Sequence, residues 1–106
     1  SNEVIKQINF LIYDEAQVKA VLKDESIWLS QKGMAERLGS SDNISLHLKN
    51  IFESGELDKN SVTEKISVVQ TEGERQLTRN TLFYNLGTFI SVGYRVYSIR
   101  FTQYLS

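Results

Sequence analysis

The sequence contains no cysteine and no proline, and it has a single histidine. Without cysteine the chain has no disulfide, no thiol nucleophile and no cysteine-type zinc site. About 5% proline is usual in proteins, so the loops of this chain must be built from Gly, Ser, Asn and Asp. No apolar run approaches the roughly 18 residues of a membrane helix, and no cleavable signal is visible. We therefore expect a cytoplasmic domain with no membrane partner.

The composition is that of a folded domain without a strong charge of either sign. The chain has 106 residues, of which 41% are apolar and 24% charged, and its net charge is −1. This length suits a single modest core, and the low net charge is not typical of a tight non-specific nucleic-acid binder. Ser1 and Asn2 are typical of a remnant of tag removal. We expect residues 3–106 to form one domain, taken from a longer protein.

The first third of the chain predicts strands followed by a short helix. An apolar segment at 5–13 and strand-like segments at 18–22 and 27–29, with a polar turn at 23–26, predict an N-terminal hairpin. Ser30 is a suitable N-cap for a helix that Gly39 would end in a left-handed conformation.

A second helix is predicted by apolar residues that recur with the helical period over about 42–53: Ile44, Leu48, Ile51 and Phe52. Asp42 or Ser41 is expected to cap its start, and Ser54 with Gly55 is expected to end it.

The last part of the chain predicts a second hairpin and further helices. Residues 64–71 alternate, a turn at 72–74 follows, and residues 76–84 return. Asn85 is expected to cap a helix with Leu86, Phe89, Ile90 and Gly93 on one side. Ser98 is expected to cap a second helix. The order of elements predicts an α+β fold, a winged helix-turn-helix-like domain with an N-terminal hairpin, a wing hairpin and C-terminal helices.

Two short helices joined by a glycine-containing turn are typical of a helix-turn-helix, whose second helix reads DNA. The candidate contacts to double-stranded DNA are the polar residues of the second helix, Asn43, Ser45, His47, Lys49 and Asn50. Asn can bond adenine in a bidentate way, and Ser and Lys suit phosphates. Arg75, near the tip of the second hairpin, is a candidate phosphate contact on the wing, although Glu72 and Glu74 flank it. The alternative is an ordinary solvated helix face and a charged turn.

Nothing in the sequence indicates catalysis. His47 lacks a Cys or second His to complete a zinc site, and no glycine-rich phosphate loop or nucleophile elbow is present. We expect no enzyme activity, no metal and no cofactor in this part of the protein.

The aromatic residues suggest a core and an interface. Core positions are the default interpretation for five of them: Trp28, Phe83, Tyr84, Phe89 and Tyr94. The apolar residues near the C-terminus, Tyr97, Phe101, Tyr104 and Leu105, are candidate contacts with a second copy or with the C-terminal remainder of the protein. A protein-interaction or dimerisation module without DNA binding is therefore the alternative function, with any enzymatic activity in that remainder.

Several stretches resemble the N-terminal region of the bacterial RhuM-type virulence proteins: WLSQK (28–32), MAE (34–36), NISLHLKNIFESGEL (43–57), FYNL (83–86) and ISVGYRV (90–96). The resemblance covers roughly residues 10–104, and a similar module precedes Fic/Doc-type domains in some chains. It implies a DNA-binding helix-turn-helix in a virulence-associated protein. Ile99, Phe101 and Tyr104 depart from the basic or small residues common in such proteins, which favours self-association.

Overall fold

The computed structural model describes residues 20–39 and 41–105 of the chain. Within those ranges four strands and four helices are present: β1 (Ala20–Lys23), β2 (Ser26–Ser30), α1 (Gln31–Leu38), α2 (Ser41–Glu53), α3 (Lys59–Val62), β3 (Thr63–Glu72), β4 (Arg75–Asn85) and α4 (Leu86–Leu105). The strands form one antiparallel sheet in the order β1-β2-β4-β3. The predicted α+β class is confirmed. The apolar segment at 5–13 and the tag remnant lie outside the described residues.

The N-terminal hairpin forms where the polar turn predicts it. Ala20 pairs with Leu29 and Lys23 with Ser26, so two residues connect the strands. Both connecting residues, Asp24 and Glu25, have positive φ angles of 53° and 61°. Positive φ at both central positions is the requirement of a type I′ turn, whose twist matches that of the flanking strands.

Both ends of α1 are formed by the residues predicted for them. The backbone N–H of Gly33 donates to Ser30 Oγ at 3.0 Å, which satisfies one free amide of the first turn. Gly39 has a φ of +119° and its N–H donates to the Ala35 carbonyl at 2.6 Å. A side chain would strain this backbone conformation, so glycine suits the position.

Helix α2 packs between α1 and α4 through the predicted apolar stripe. Ile44, Leu48 and Ile51 are buried, and Phe52 is half-buried. The helix begins at Ser41, so Ser41 and Asp42 lie inside its first turn, and the cap position falls on residue 40, outside the described residues. It ends at Glu53, as predicted.

The second hairpin, β3–β4, is much longer than the first. Thr63 pairs with Tyr84 at its base and Glu72 with Arg75 at its tip, with Gly73 and Glu74 between them. The inward residues Ile66 and Val68 are buried, as their alternation predicts. The short helix α3 before β3 was not predicted from the sequence. In it, the Ser61 hydroxyl donates to Asp58 Oδ2 at 2.7 Å.

The core has two parts because the sheet is curled. The larger part lies between the helices and the sheet and contains Leu29, Met34, Ala35, Leu38, Ile44, Leu48, Ile51, Tyr84, Val92 and Val96. The smaller part contains Val21, Ile66, Val68 and Phe83. Among the described strands, β1 and β3 are the two outer ones of the sheet, yet Lys23 Nζ donates to Glu64 Oε1. This contact requires the two outer strands to approach each other. The hydrogen bond also raises the pKa of Lys23.

The predictions for the C-terminal part were wrong in two respects. Residues 86–105 form one continuous helix, so Ser98 does not start a second one; the Thr102 hydroxyl donates to the Ser98 carbonyl at 2.9 Å inside it. Asn85 does act as the predicted cap, since its Oδ1 accepts from the Thr88 N–H at 2.9 Å.

The inward face of α4 is also different from the predicted one. Its buried residues are Thr88, Val92 and Val96, which follow one another at the helical spacing of four. Leu86 and Ile90 are exposed instead, by 43% and 61%. Among the five aromatic residues assigned to the core, Phe83 and Tyr84 are buried, Trp28 and Phe89 are half-buried, and Tyr94 is exposed, so the core assignment of Tyr94 was wrong.

Candidate nucleic-acid interface and exposed helix surface

Four of the five predicted DNA contacts on α2 lie on its outward side. Asn43, Ser45, Lys49 and Asn50 are exposed. Their orientation follows from the stripe on the other side of the helix, which is buried between α1 and α4. Gln31 Nε2, in the first turn of α1, donates to Ser45 Oγ. The outward side of α2 therefore carries amide, hydroxyl and ammonium groups as available donors, together with one exposed apolar residue, Leu46.

The fifth predicted contact, His47, is buried, so its assignment to the DNA-facing side was wrong. It is only 7% exposed. It lies at the edge of the apolar stripe, where α4 covers it, and it lines a cleft of about 290 Å³ together with Val96 and Ile99. Burial, and to a smaller extent the charge of Arg95, lower the pKa of His47 from its ordinary value. The neutral ring is therefore part of the α2–α4 contact.

The lowered pKa of His47 predicts a loss of stability in mild acid. The unfolded chain takes up a proton near the ordinary value of 6.5, whereas the folded chain resists protonation at this site. Stability should therefore fall as the pH decreases from about 6.5 through the lower pKa of the folded state. We expect His47→Gln to remove this part of the pH dependence. Urea unfolding of both proteins at neutral and mildly acidic pH measures it; parallel curves would contradict the assignment.

Arg75 is exposed at the tip of β3–β4, far along the hairpin from α2. The base of this hairpin contacts α2: the ring of Phe52 in α2 stacks on that of Tyr84 in β4, with centroids 6.3 Å apart. From that base to the tip, ten paired residues of β3 extend about 30 Å at 3.3 Å per residue. The structure therefore does not bring Arg75 together with the polar side of α2. Near the tip, Arg79 Nη2 lies 3.7 Å from Glu72 Oε1.

The predicted interface residues of α4 are all exposed. Tyr97, Phe101, Tyr104 and Leu105 are exposed by 55%, 63%, 84% and 67%. Two neighbours that sequence reasoning had placed elsewhere, Ile90 and Tyr94, are exposed beside them. The signal that could have identified both is the spacing of four residues from Ile90 to Tyr94 and three from Tyr94 to Tyr97, which places all three on the same side of a continuous helix.

The described ranges were also searched for metal and membrane features. No group of three or more His, Asp or Glu residues lies close enough together there to hold a metal ion. No helix in this part of the chain is both long enough and apolar enough to cross a membrane.

Comparison with known proteins finds one family that the C-terminal part of the chain matches. Residues 61–106 match the family model of the virulence protein RhuM family. This match confirms the RhuM-type resemblance recognised in the sequence. The matched range holds β3, β4 and α4, whereas α1 and α2 precede it. No curated protein and no solved structure matches the chain.

Proposed function

We propose that this chain, whose residues 61–106 match the RhuM virulence family, is a cytoplasmic DNA-binding domain of the winged helix-turn-helix type. The observation that carries the proposal is the outward polar side of α2, with Asn43, Ser45, Lys49 and Asn50 exposed on the second helix of a closely packed pair. In this proposal α2 is the recognition helix and enters the major groove. The proposed role is binding, and no catalytic group is assigned to the chain.

The arrangement of the strands supports a wing. Strand β2, which directly precedes α1, pairs with β4 through Leu29 and Tyr84. The β3–β4 hairpin follows the helical pair in the chain. Because β4 pairs with β2, the shared sheet holds the hairpin beside α1. A hairpin anchored in this way projects from the domain and reaches phosphates away from the groove that α2 occupies. Arg75 supplies positive charge at its tip, and Lys65 is exposed nearer its base.

The side chains on α2 suit base and phosphate contacts of different kinds. The amides of Asn43 and Asn50 offer a donor and an acceptor, which match N6 and N7 of adenine in the major groove. Lys49 supplies a single charge for a phosphate, and the Ser45 hydroxyl can donate to another. With a net charge of −1, the domain would make few phosphate contacts, so non-specific affinity is expected to be weak and sensitive to salt.

The proposal predicts distinct effects of two α2 variants on DNA binding. Lys49→Ala should weaken binding to every duplex and reduce the salt slope by about one unit, because one phosphate contact is lost. Asn50→Ala should mainly relax base preference, because it removes a base contact and no charge. Fluorescence anisotropy with a random duplex pool and a selected sequence, at about 50 and 200 mM salt, measures both effects.

The matched control is Lys59→Ala, which removes an exposed lysine of α3, outside the proposed recognition helix. Equal losses of DNA affinity for Lys49→Ala and Lys59→Ala would show that binding depends on the overall charge of the domain and not on contacts made by α2. Absence of binding to both pools at the lower salt concentration would overturn the proposal.

A further inference from the structure

The outward side of α4 carries a row of apolar residues that do not pack in the core. The row consists of Ile90, Tyr94, Tyr97, Phe101 and Tyr104, and we refer to it as the aromatic seam. All five are exposed, by 55% to 84%. At 100° per residue the seam lies on nearly the opposite side of the helix from the buried Val92 and Val96. Helix α4 therefore has two apolar faces, and the described part of the domain covers one of them.

We propose that the aromatic seam is the interface with a second copy of this chain, which pairs α4 with α4 in a symmetric dimer. This inference goes beyond the DNA-binding proposal and does not depend on it. The seam residues are separated by four, three, four and three positions, which is the heptad spacing of a and d residues. That spacing keeps the same row facing a neighbouring helix over several turns. It is therefore the pattern expected where one helix packs along another.

The charges around the seam favour an uncharged partner surface. Helix α4 has no acidic residue, and its two arginines are engaged within the domain. Arg95 Nη2 lies 3.2 Å from Glu56 Oε1, and Arg100 donates to the Leu38 carbonyl while its guanidinium lies 5.4 Å from the centroid of the Tyr97 ring. An acidic peptide or an anionic membrane surface would need free basic residues along this face. A second copy supplies an equally uncharged row.

The area of the seam is sufficient for a stable dimer. An aromatic side chain has about 200 Å² of surface, so the exposed fractions of 55% to 84% correspond to roughly 550 Å² from the four rings. Ile90, together with Leu105 beside the seam, raises the exposed area to roughly 750 Å² per copy, close to the about 800 Å² that each partner buries in a standard interface. Tyr and Phe are also the residues enriched at such interfaces. Two-fold symmetry presents the same face on both copies, so it buries both seams at once.

The oligomeric state in solution tests the proposal. Sedimentation equilibrium of the chain should show a concentration-dependent dimer at micromolar concentrations. The double variant Phe101→Glu, Tyr104→Glu should be a monomer, because four like charges would meet in the interface. The control Gln103→Glu adds a negative charge to the same turn on the cleft side of α4, away from the seam, and should remain a dimer. Circular dichroism verifies that both variants keep their helices.

A variant without added charge provides a second readout. The Tyr104 ring is 84% exposed, so Tyr104→Ala should leave the fold intact and raise the dimer Kd roughly fivefold or more. A monomeric parent chain at high micromolar concentration would overturn the proposal. A dimer that persists unchanged in both seam variants would place the interface elsewhere and overturn it equally. Binding of a monomeric parent to anionic vesicles, lost in the double variant, would assign the seam to lipid instead.

Discussion

Leu48→Ala is expected to destabilise the domain by about 2–5 kcal/mol, because it removes a buried side chain and leaves a cavity where α2 meets α1 and α4. Leu48 is 4% exposed and belongs to the larger part of the core. A small domain has only about 5–15 kcal/mol of total stability. The thermal midpoint should therefore fall by roughly ten degrees or more, as measured by circular dichroism or scanning calorimetry.

The neighbouring leucine of the same helix is the matched control. Leu46 is 55% exposed, so Leu46→Ala makes the same chemical change with little loss of packing, and the expected cost is below about 1 kcal/mol. The difference between the two variants tests the orientation of α2. Similar losses in both would mean that the helix does not face the core as described, and the assignment of its outward side would then also be wrong.

Gly39→Ala is expected to cost about 2–4 kcal/mol, for two reasons that act together. The φ of +119° at Gly39 is strained for any residue with a side chain, and an added Cβ would lie 2.6 Å from Arg100 Nη2. The guanidinium would have to move, which breaks its hydrogen bond to the Leu38 carbonyl at the end of α1. Urea unfolding of the variant measures the combined loss.

Gly55→Ala separates the two causes. Gly55 also has a positive φ, +79°, but nothing lies within 4 Å of an added Cβ. Only backbone strain of about 1–2 kcal/mol is expected there. In an Arg100→Ala background the cost of Gly39→Ala should fall toward that of Gly55→Ala, because the side-chain contact is already absent. Fully additive effects of Gly39→Ala and Arg100→Ala would show that the guanidinium contact contributes nothing.

Part of the candidate site follows from the sequence because one helical stripe determines it. Once Ile44, Leu48 and Ile51 face the core, the period of the helix places Asn43, Ser45, Lys49 and Asn50 on the other side. His47 could not be assigned in this way. It lies at the edge of the stripe, and its burial depends on whether another helix covers that edge. The helix that does so, α4, lies about 40 residues further along the chain.

The sequence by itself determined the local elements, because their signals are carried by adjacent residues. The side-chain oxygens of Ser30 and Asn85 accept hydrogen bonds from backbone amides at the start of two helices, and Gly39 ends a helix. The alternation of Ile66 and Val68 sets the inner face of a hairpin. These are interactions over one to four positions, so propensity and period are enough to predict them.

Only the tertiary structure decided which of two apolar faces of α4 enters the core. One face carries Val92 and Val96, the other Ile90 and Tyr94, and the helical period is satisfied by both. Sequence hydrophobicity favours burial of each face without choosing between them. The choice depends on which face fits against α2 and the sheet, where the small side chains of Thr88, Val92 and Val96 allow close approach. The larger aromatic side chains are left on the surface, because the inner space is already filled by the core residues of α1 and α2.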